Sequence, residues 1–209
     1  MPRTAPRSLS AAVEPSEGRG RPRGTSARAL ELIALDLFTS NGFDETTVDE
    51  IAAAAGVSRR TFFRYYESKA AVLWHEFDHE VAALRAAFEN VPSDVALMEA
   101  IRQAVTVVNH YGAEDIPELR ARMTLIGTVP ALQASATPHY DAWEQIIIDF
   151  AARRLGESPE SLIPRAIGRA TLASCRAAYE QWITSPDTVL ADHIDRVLTA
   201  LANGFATEA

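Results

Sequence analysis

Apolar side chains recur at helical intervals along most of this chain, and glycines, prolines and small polar clusters divide the pattern into segments. Leu30, Ile33 and Leu37 begin the series. Asn41, Gly42 and Phe43 read as a left-handed helix stop with an apolar residue behind it, which predicts a first helix over 27–40. Thr47 and Glu50 have the capping-box spacing, the threonine bonding forward and the glutamate reaching back, so a short second helix starts there and Gly56 ends it. Ser58 is placed to cap a third helix and Ser68 a fourth. In the fourth, Leu73, Phe77, Val81, Leu84 and Phe88 fall at intervals of 4, 4, 3 and 4, which makes a single apolar stripe.

Beyond Asn90, Val91 and Pro92 the helical patterns continue over 94–111, 117–128, 130–155, 159–184 and 188–203. Pro138 lies inside the 130–155 pattern and predicts a kink or a late start there. Ser158 and Pro159 predict a capped start for the segment that follows, and Asn203 with Gly204 a final stop. No segment alternates apolar and polar positions for long enough to be a strand. The expectation is an all-α fold of about nine helices without internal repeats. Two short helices meeting at Gly56 make a helix-turn-helix.

Composition leaves this picture standing and removes several function classes. With 209 residues, 47% hydrophobic and 23% charged, the chain can bury a sizeable core and has an ordinary globular profile. Its one cysteine, Cys175, allows no intrachain disulfide, and no apolar run approaches the roughly 18 residues of a membrane span. The Arg-rich start lacks the apolar core of an export signal, so a cytoplasmic protein without membrane contact is expected. Walker and dinucleotide glycine motifs and a nucleophile elbow are missing, and no cofactor is called for.

Charge changes the picture more. The formal net charge is -8, yet residues 1–69 hold ten of the twenty cations and only nine of the twenty-eight acids. The N-terminal third is therefore the part suited to a polyanion. Its densest stretch, GVSRRTFFRYYESK from Gly56 to Lys69, carries four cations and four aromatics. In a helix-turn-helix the second helix enters the major groove and its leading turn reaches base edges, while flanking cations and hydroxyls fix the register on phosphates. Ser58, Arg59, Arg60 and Thr61 occupy that leading turn; Arg28, Thr47, Arg64 and Lys69 are the flanking groups. Phe62 is expected in the small core with Ile51 and Leu37, with Phe63, Tyr65 and Tyr66 at the DNA edge or beneath the following helix.

The run Thr47, Val48, Ile51, Ala52, Ala55, Gly56, Val57, Ser58, Thr61, Phe62, Phe63, Tyr65, Tyr66 and Lys69 resembles the DNA-binding signature of the TetR family of transcriptional regulators, over about 27–74. The resemblance implies a homodimer, usually a repressor, that binds a near-palindromic operator and has a helical C-terminal domain for a small effector. RTFFRYY, TVPALQAS (128–135) and AAYEQW (177–182) are most similar to the branch that regulates mycofactocin biosynthesis, which implies a long-chain acyl-CoA effector. The family's usual tyrosine is replaced by Phe63, which has no hydroxyl for a phosphate, and Tyr65 takes that role. Lys69 matches the family's phosphate-binding lysine. Asp49 stands where some members place a base-reading cation; a carboxylate can only accept, for instance from a cytosine amino group, and it is left out of the contact set.

The expected domains are a disordered basic tail over 1–24, the DNA-binding domain over 25–70 and the ligand-binding and dimerisation domain over 71–209. Within the tail, Gly18 to Gly24 resembles an AT-hook core, Arg-Gly-Arg-Pro for a narrow minor groove, or is a flexible basic arm of sequence-independent affinity. Two other functions compete: an activator or architectural protein of the same fold, and a zinc hydrolase. The second rests on His75, Glu76 and His79, the H-E-x-x-H spacing of a metalloprotease helix. Those histidines fall about 160° to 200° from the centre of the apolar stripe, on the expected solvent side, so no metal is assigned.

In the C-terminal part, Ala166, Gly168, Ala170, Ala173, Ala177 and Ala178 let another helix approach closely, and Ile194, Val197, Leu198 and Leu201 add apolar area. These two segments are the expected dimer interface. The expected effector pocket draws on Trp74 in the fourth helix, Met98 and Met123 in the next two, Tyr140, Trp143, Ile147 and Phe150 in the 130–155 segment, and Tyr179 and Trp182 near the end. Arg120, Arg122 and Arg176 are the cations proposed for phosphates at its mouth.

Overall fold

The computed structural model describes residues 26–205; the tail over 1–24 and its Arg-Gly-Arg-Pro segment lie outside the described residues. Among the described residues every regular element is helical. They are α1 Ala27–Asn41, α2 Val48–Ala54, α3 Arg59–Tyr65, a 3-10 turn Ala70–Trp74, α4 His75–Glu89, α5 Leu97–Val108, α6 Ile116–Thr128, α7 Pro130–Ser135, α8 Thr137–Leu155, α9 Leu162–Ile183 and α10 Leu190–Ala202.

The early starts and stops follow local chemistry. Ser26 Oγ accepts the Ala29 N–H at 3.0 Å to open α1, and Gly42 closes it at φ +94°, donating its N–H to the Phe38 carbonyl. The capping box of α2 is complete: the Thr47 N–H donates to Glu50 Oε2 at 2.7 Å and the Glu50 N–H to Thr47 Oγ1 at 3.2 Å. Gly56 makes the turn at φ +67°, and Ser58 caps α3 through the Thr61 N–H.

Three later elements differ from the pattern. Ser68 Oγ does accept the Ala71 N–H, but a 3-10 turn follows and α-helical geometry begins only at His75. Trp74 ends that turn, held by an indole N–H bond to Ser135 Oγ at 3.0 Å and by stacking on His139. The 130–155 pattern is two helices broken at Ala136, with Pro138 in the first turn of α8, where it has no intrahelical N–H bond to lose. α9 starts at Leu162 rather than Pro159: the Ser161 N–H closes a separate turn on the Ser158 carbonyl at 2.9 Å, and Pro164 takes the first-turn position.

These helices pack around two main cores. In the head, Leu30, Ala34 and Phe38 of α1 meet Ile51, Phe62 and Tyr66, and Leu132 of α7 closes the cluster from the other side. Ile33 and Leu37 are only half-buried, so the buried line of α1 runs beside the one the spacing suggested. Each aromatic sealed in this way contributes roughly 1.5–3 kcal/mol. The body core joins Leu84 and Phe88 of α4 to Ile101 and Val105 of α5, and to Trp182 and Ile194 of α9 and α10. α8 and α9 come so close that a Cβ on Gly168 would lie 2.5 Å from Ile148 Cγ1.

Candidate DNA-binding face and effector cavity

The leading turn of α3 stands clear of the head. Ser58, Arg59 and Arg60 are exposed and Thr61 is half-buried, with its hydroxyl 3.0 Å from Ser58 Oγ. Arg59 is aimed by its neighbours: Nη1 lies 3.0 Å from Asp49 Oδ2 of α2, and the guanidinium sits 5.3 Å above the Phe63 ring. Asp49 thus orients an arginine. Arg60 makes no ion pair among the described residues. Arg64 lies over the Tyr65 ring at 5.1 Å, and Phe63 and Tyr65 remain exposed at 43% and 36%. Phe62, fully buried beneath them, fixes the helix to the head. The Thr47 hydroxyl is already engaged with Glu50 Oε2 at 2.8 Å.

Two assigned contacts are placed elsewhere. The Lys69 ammonium donates to the carbonyls of Phe43 at 2.5 Å, Thr46 at 2.8 Å and Asp44 at 3.4 Å, and lies 4.2 Å over the Phe43 ring. All three of its N–H donors therefore tie down the loop between α1 and α2. Arg28 points toward the body: it meets Glu118 of α6 at 2.5 and 2.7 Å, Glu31 at 3.1 Å and Glu76 of α4 at 3.6 Å. Glu31 is wholly buried, and the arginine supplies charge that its carboxylate would otherwise lack.

Arg122, buried on α6, completes this cluster by ion pairing with both Glu31 and Glu118. Arg122 also lines a cavity of about 450 Å³ between α4, α6, α8 and α9, within the size range of small-molecule sites. The rim includes Gly127, Gln133, Thr137, Arg176 and Glu180, all exposed. The walls are apolar and aromatic: Leu73, Phe77, Ile126, Tyr140, Trp143 and Leu172. Glu80, Asn109 and Tyr179 add polar groups away from the rim. Asn109 Oδ1 accepts the Tyr179 hydroxyl at 2.6 Å, and Glu80 accepts the Tyr111 hydroxyl. Glu80 is half-buried and lines the cavity, and burial pushes its carboxyl up to about 7.

Of the nine side chains expected in the pocket, Met123, Tyr140, Trp143 and Tyr179 line it and five do not. Trp74 seals the junction between head and body, edge-on to Phe77 and Tyr140. Ile147 and Phe150 belong to the body core, where Phe150 stacks on Phe88 at 4.1 Å. Trp182 is fully buried, donating its N–H to the Thr188 carbonyl with Arg120 stacked 4.0 Å above it. Met98 packs on the flank of that core. Periodicity identifies interior positions and is blind to which part of the interior stays empty. Among the proposed cations, Arg176 reaches the rim, whereas Arg120 donates to the Trp182 and Ile183 carbonyls and Arg122 is held by its two glutamates.

The zinc motif is not assembled. The His75 ring lies edge-on to Tyr66 and to His79, and Glu76 faces Arg28, so the first two residues of the motif sit half-buried against the head rather than in solvent. Among the described residues no group of three His, Cys, Asp or Glu could hold a metal. No helix among the described residues is long and apolar enough to cross a membrane. The small-residue segment divides by face: Ala166, Ala173 and Ala177 are exposed on α9 with Leu162 and Ile163, while Gly168, Ala178, Ile194 and Leu198 pack within the chain.

The chain matches the family described as bacterial regulatory proteins, tetR family, over residues 33–74, and the family described as MftR C-terminal domain over residues 95–206. It is 34% identical over 192 residues to a candidate mycofactocin biosynthesis transcriptional regulator of Mycobacterium tuberculosis, covering 91% of this chain and 97% of the relative. Thermus thermophilus FadR, a TetR family repressor crystallised with lauroyl-CoA, has a similar structure with TM-score 0.58 and 25% identity, covering 88% of this chain and 97% of that one. The fatty acid degradation regulator FadR of Bacillus halodurans shares the fold with TM-score 0.63 at 14% identity, over 90% and 100% of the two chains.

Proposed function

The chain belongs to the TetR family of DNA-binding transcriptional regulators, proteins that are not enzymes, and on that premise we propose that it is a homodimeric repressor released from its operator by a small effector held in the cavity. The observation that carries this reading is the position of Arg122 and Leu73. Both line the cavity, and both also belong to the head–body junction, Arg122 through Glu31 and Leu73 through the head core. A ligand that shifts either one acts on α1 and the 3-10 turn beneath it.

In this reading residues 25–70 read DNA and residues 71–209 bind effector and pair the subunits. α3 enters the major groove with Ser58, Arg59, Arg60 and Thr61 leading, and the dimer reads a near-palindrome with half-sites roughly 34 Å apart. The exposed stripe of α9, with Leu162, Ile163, Ala166, Ala173 and Ala177, packs against its counterpart beside α10 as a four-helix bundle. The protein works where its DNA is, in the cytoplasm. The effector we favour is a long-chain acyl-CoA, its chain between Phe77, Trp143 and Leu172 and its phosphates near Arg176 at the rim. The lauroyl-CoA bound by the Thermus relative supports this choice.

Release requires the effector to prefer a conformation in which the two heads are wrongly spaced, because equal affinity for both states shifts nothing. A gel-shift titration against the DNA upstream of its own gene tests the reading. Oleoyl-CoA should displace the protein, whereas free CoA and oleate should do so poorly; specific binding untouched by any of them would contradict it.

A further inference from the structure

We propose that the inner end of the cavity is a hydrogen-bond acceptor site built on Glu80, and that the effector carries a hydrogen-bond donor, a hydroxyl or an amine, on the group that reaches it. This rests on the cavity being the effector site, and not on the effector being an acyl-CoA.

The polar groups near Glu80 are satisfied without a ligand. Asn109 donates from Nδ2 to the Val105 carbonyl at 2.8 Å and accepts the Tyr179 hydroxyl on Oδ1. Tyr111 gives its hydroxyl proton to Glu80 Oε1. The second oxygen, Oε2, accepts no hydrogen bond among the described residues, and the side chain lines the cavity. Nor does a cation form an ion pair with this carboxylate among the described residues. Arg122, whose charge acts on the carboxyl, is already ion-paired with Glu31 and Glu118, and Arg28 with the same two glutamates and Glu76. Burial outweighs the Tyr111 hydrogen bond and the charge of Arg122 and raises the carboxyl to about 7, so that near neutral pH a donor from a ligand on the open oxygen would relieve a standing electrostatic cost.

An unsubstituted alkyl end pushed against Glu80 would strip its remaining hydration and return nothing. A hydroxyl would give a hydrogen bond to the open oxygen, and an amine would add charge, which the aromatic walls of Phe77 and Trp143 also favour. If the effector is a fatty acyl derivative, the chain that fits best is therefore one oxygenated toward its far end.

The test uses three probes of matched length, decanol, decylamine and decyl methyl ether, titrated into the full-length protein by quenching of its tryptophan fluorescence, since Trp143 lines the cavity. Decanol or decylamine, or both, should bind at least about tenfold more tightly than the ether, which can only accept. Glu80→Leu should abolish that preference. Glu80→Gln, the milder change, should keep the preference for the alcohol and lose the preference for the amine. Equal affinities of all three probes for the wild-type protein, no binding of any of them, or a preference that survives Glu80→Leu would each overturn the site. If oleoyl-CoA still releases operator DNA in that case, the Glu80 site alone has failed. If it does not, the cavity reading has failed with it.

Discussion

Arg122, on the wall of the cavity, is ion-paired with Glu31 of α1, and both side chains are sealed from solvent. The pair links an element that can feel a ligand to the helix on which the reading head is built. Buried ion pairs add little net stability, but removing one partner strands the other charge at a large cost.

Arg122→Met should therefore destabilise the fold by about 3–5 kcal/mol, since Glu31 would be left with Arg28 alone. Combining it with Glu31→Leu should recover most of the loss, while DNA binding persists and the effector response is blunted. Denaturant unfolding and gel shifts on the three variants check this. A double variant that responds normally would move the coupling to another contact.

On the DNA side, Arg60→Ala should weaken operator binding and lower the salt slope by about one, as expected for loss of a single phosphate or base contact. Lys69→Met should behave differently from its counterpart in a phosphate clamp. With three loop carbonyls losing their donor, it should cost roughly 1–3 kcal/mol of stability and leave the salt slope unchanged. Anisotropy titrations at several salt concentrations, paired with melting curves, separate the two outcomes.

Within the cavity, Met123→Trp should fill space that a ligand needs, abolishing release by oleoyl-CoA with DNA affinity intact. Trp143→Ala should likewise blunt the response. Met98→Ala should leave it unchanged, because Met98 packs on the flank of the body core outside the cavity. Gel shifts with and without oleoyl-CoA decide among these.

Burial raises the Glu80 carboxyl from 4.5 to about 7, so between those values the folded protein holds more protons than the unfolded chain. Its stability must then fall as pH rises across that window. Facing the carboxyl are Tyr111, Arg122 of α6, Tyr179 of α9 and Glu76 on its own helix; both tyrosines are pushed well above their ordinary range and stay protonated throughout. Glu80→Gln should flatten this part of the profile, the wild type losing on the order of 2 kcal/mol more than the variant between about pH 5 and about pH 8. Parallel pH profiles for the two proteins would expose a mistaken burial.

Much of the fold was legible because its signals are local. The capping box at Thr47, the glycine at position 56 and the cap at Ser58 each act within one turn of chain, and all three stand where the spacing put them. The cavity was only partly legible, because emptiness depends on how far apart whole helices pack. Trp182 and Trp143 look alike in the sequence, yet Arg120 and Thr188 seal the first while the second borders a void. Two charges did carry a readable signal. At about 100° per residue, Glu31 falls between Leu30 and Leu35 on the buried arc of α1, and Glu80 falls beside Phe77 and Leu84 on α4. A carboxylate inside an apolar stripe needs a partner, and its partners, Arg122 and Tyr111, come from distant parts of the chain that no local pattern joins.

The central claim, that cavity and reading head are coupled, is tested most directly by reciprocity. Calorimetry would measure the affinity of oleoyl-CoA for the free dimer and for the dimer saturated with operator. Coupling requires the operator to weaken oleoyl-CoA by the same factor by which oleoyl-CoA weakens the operator, commonly about 5- to 150-fold. Identical affinities for the free and the operator-bound dimer would contradict it.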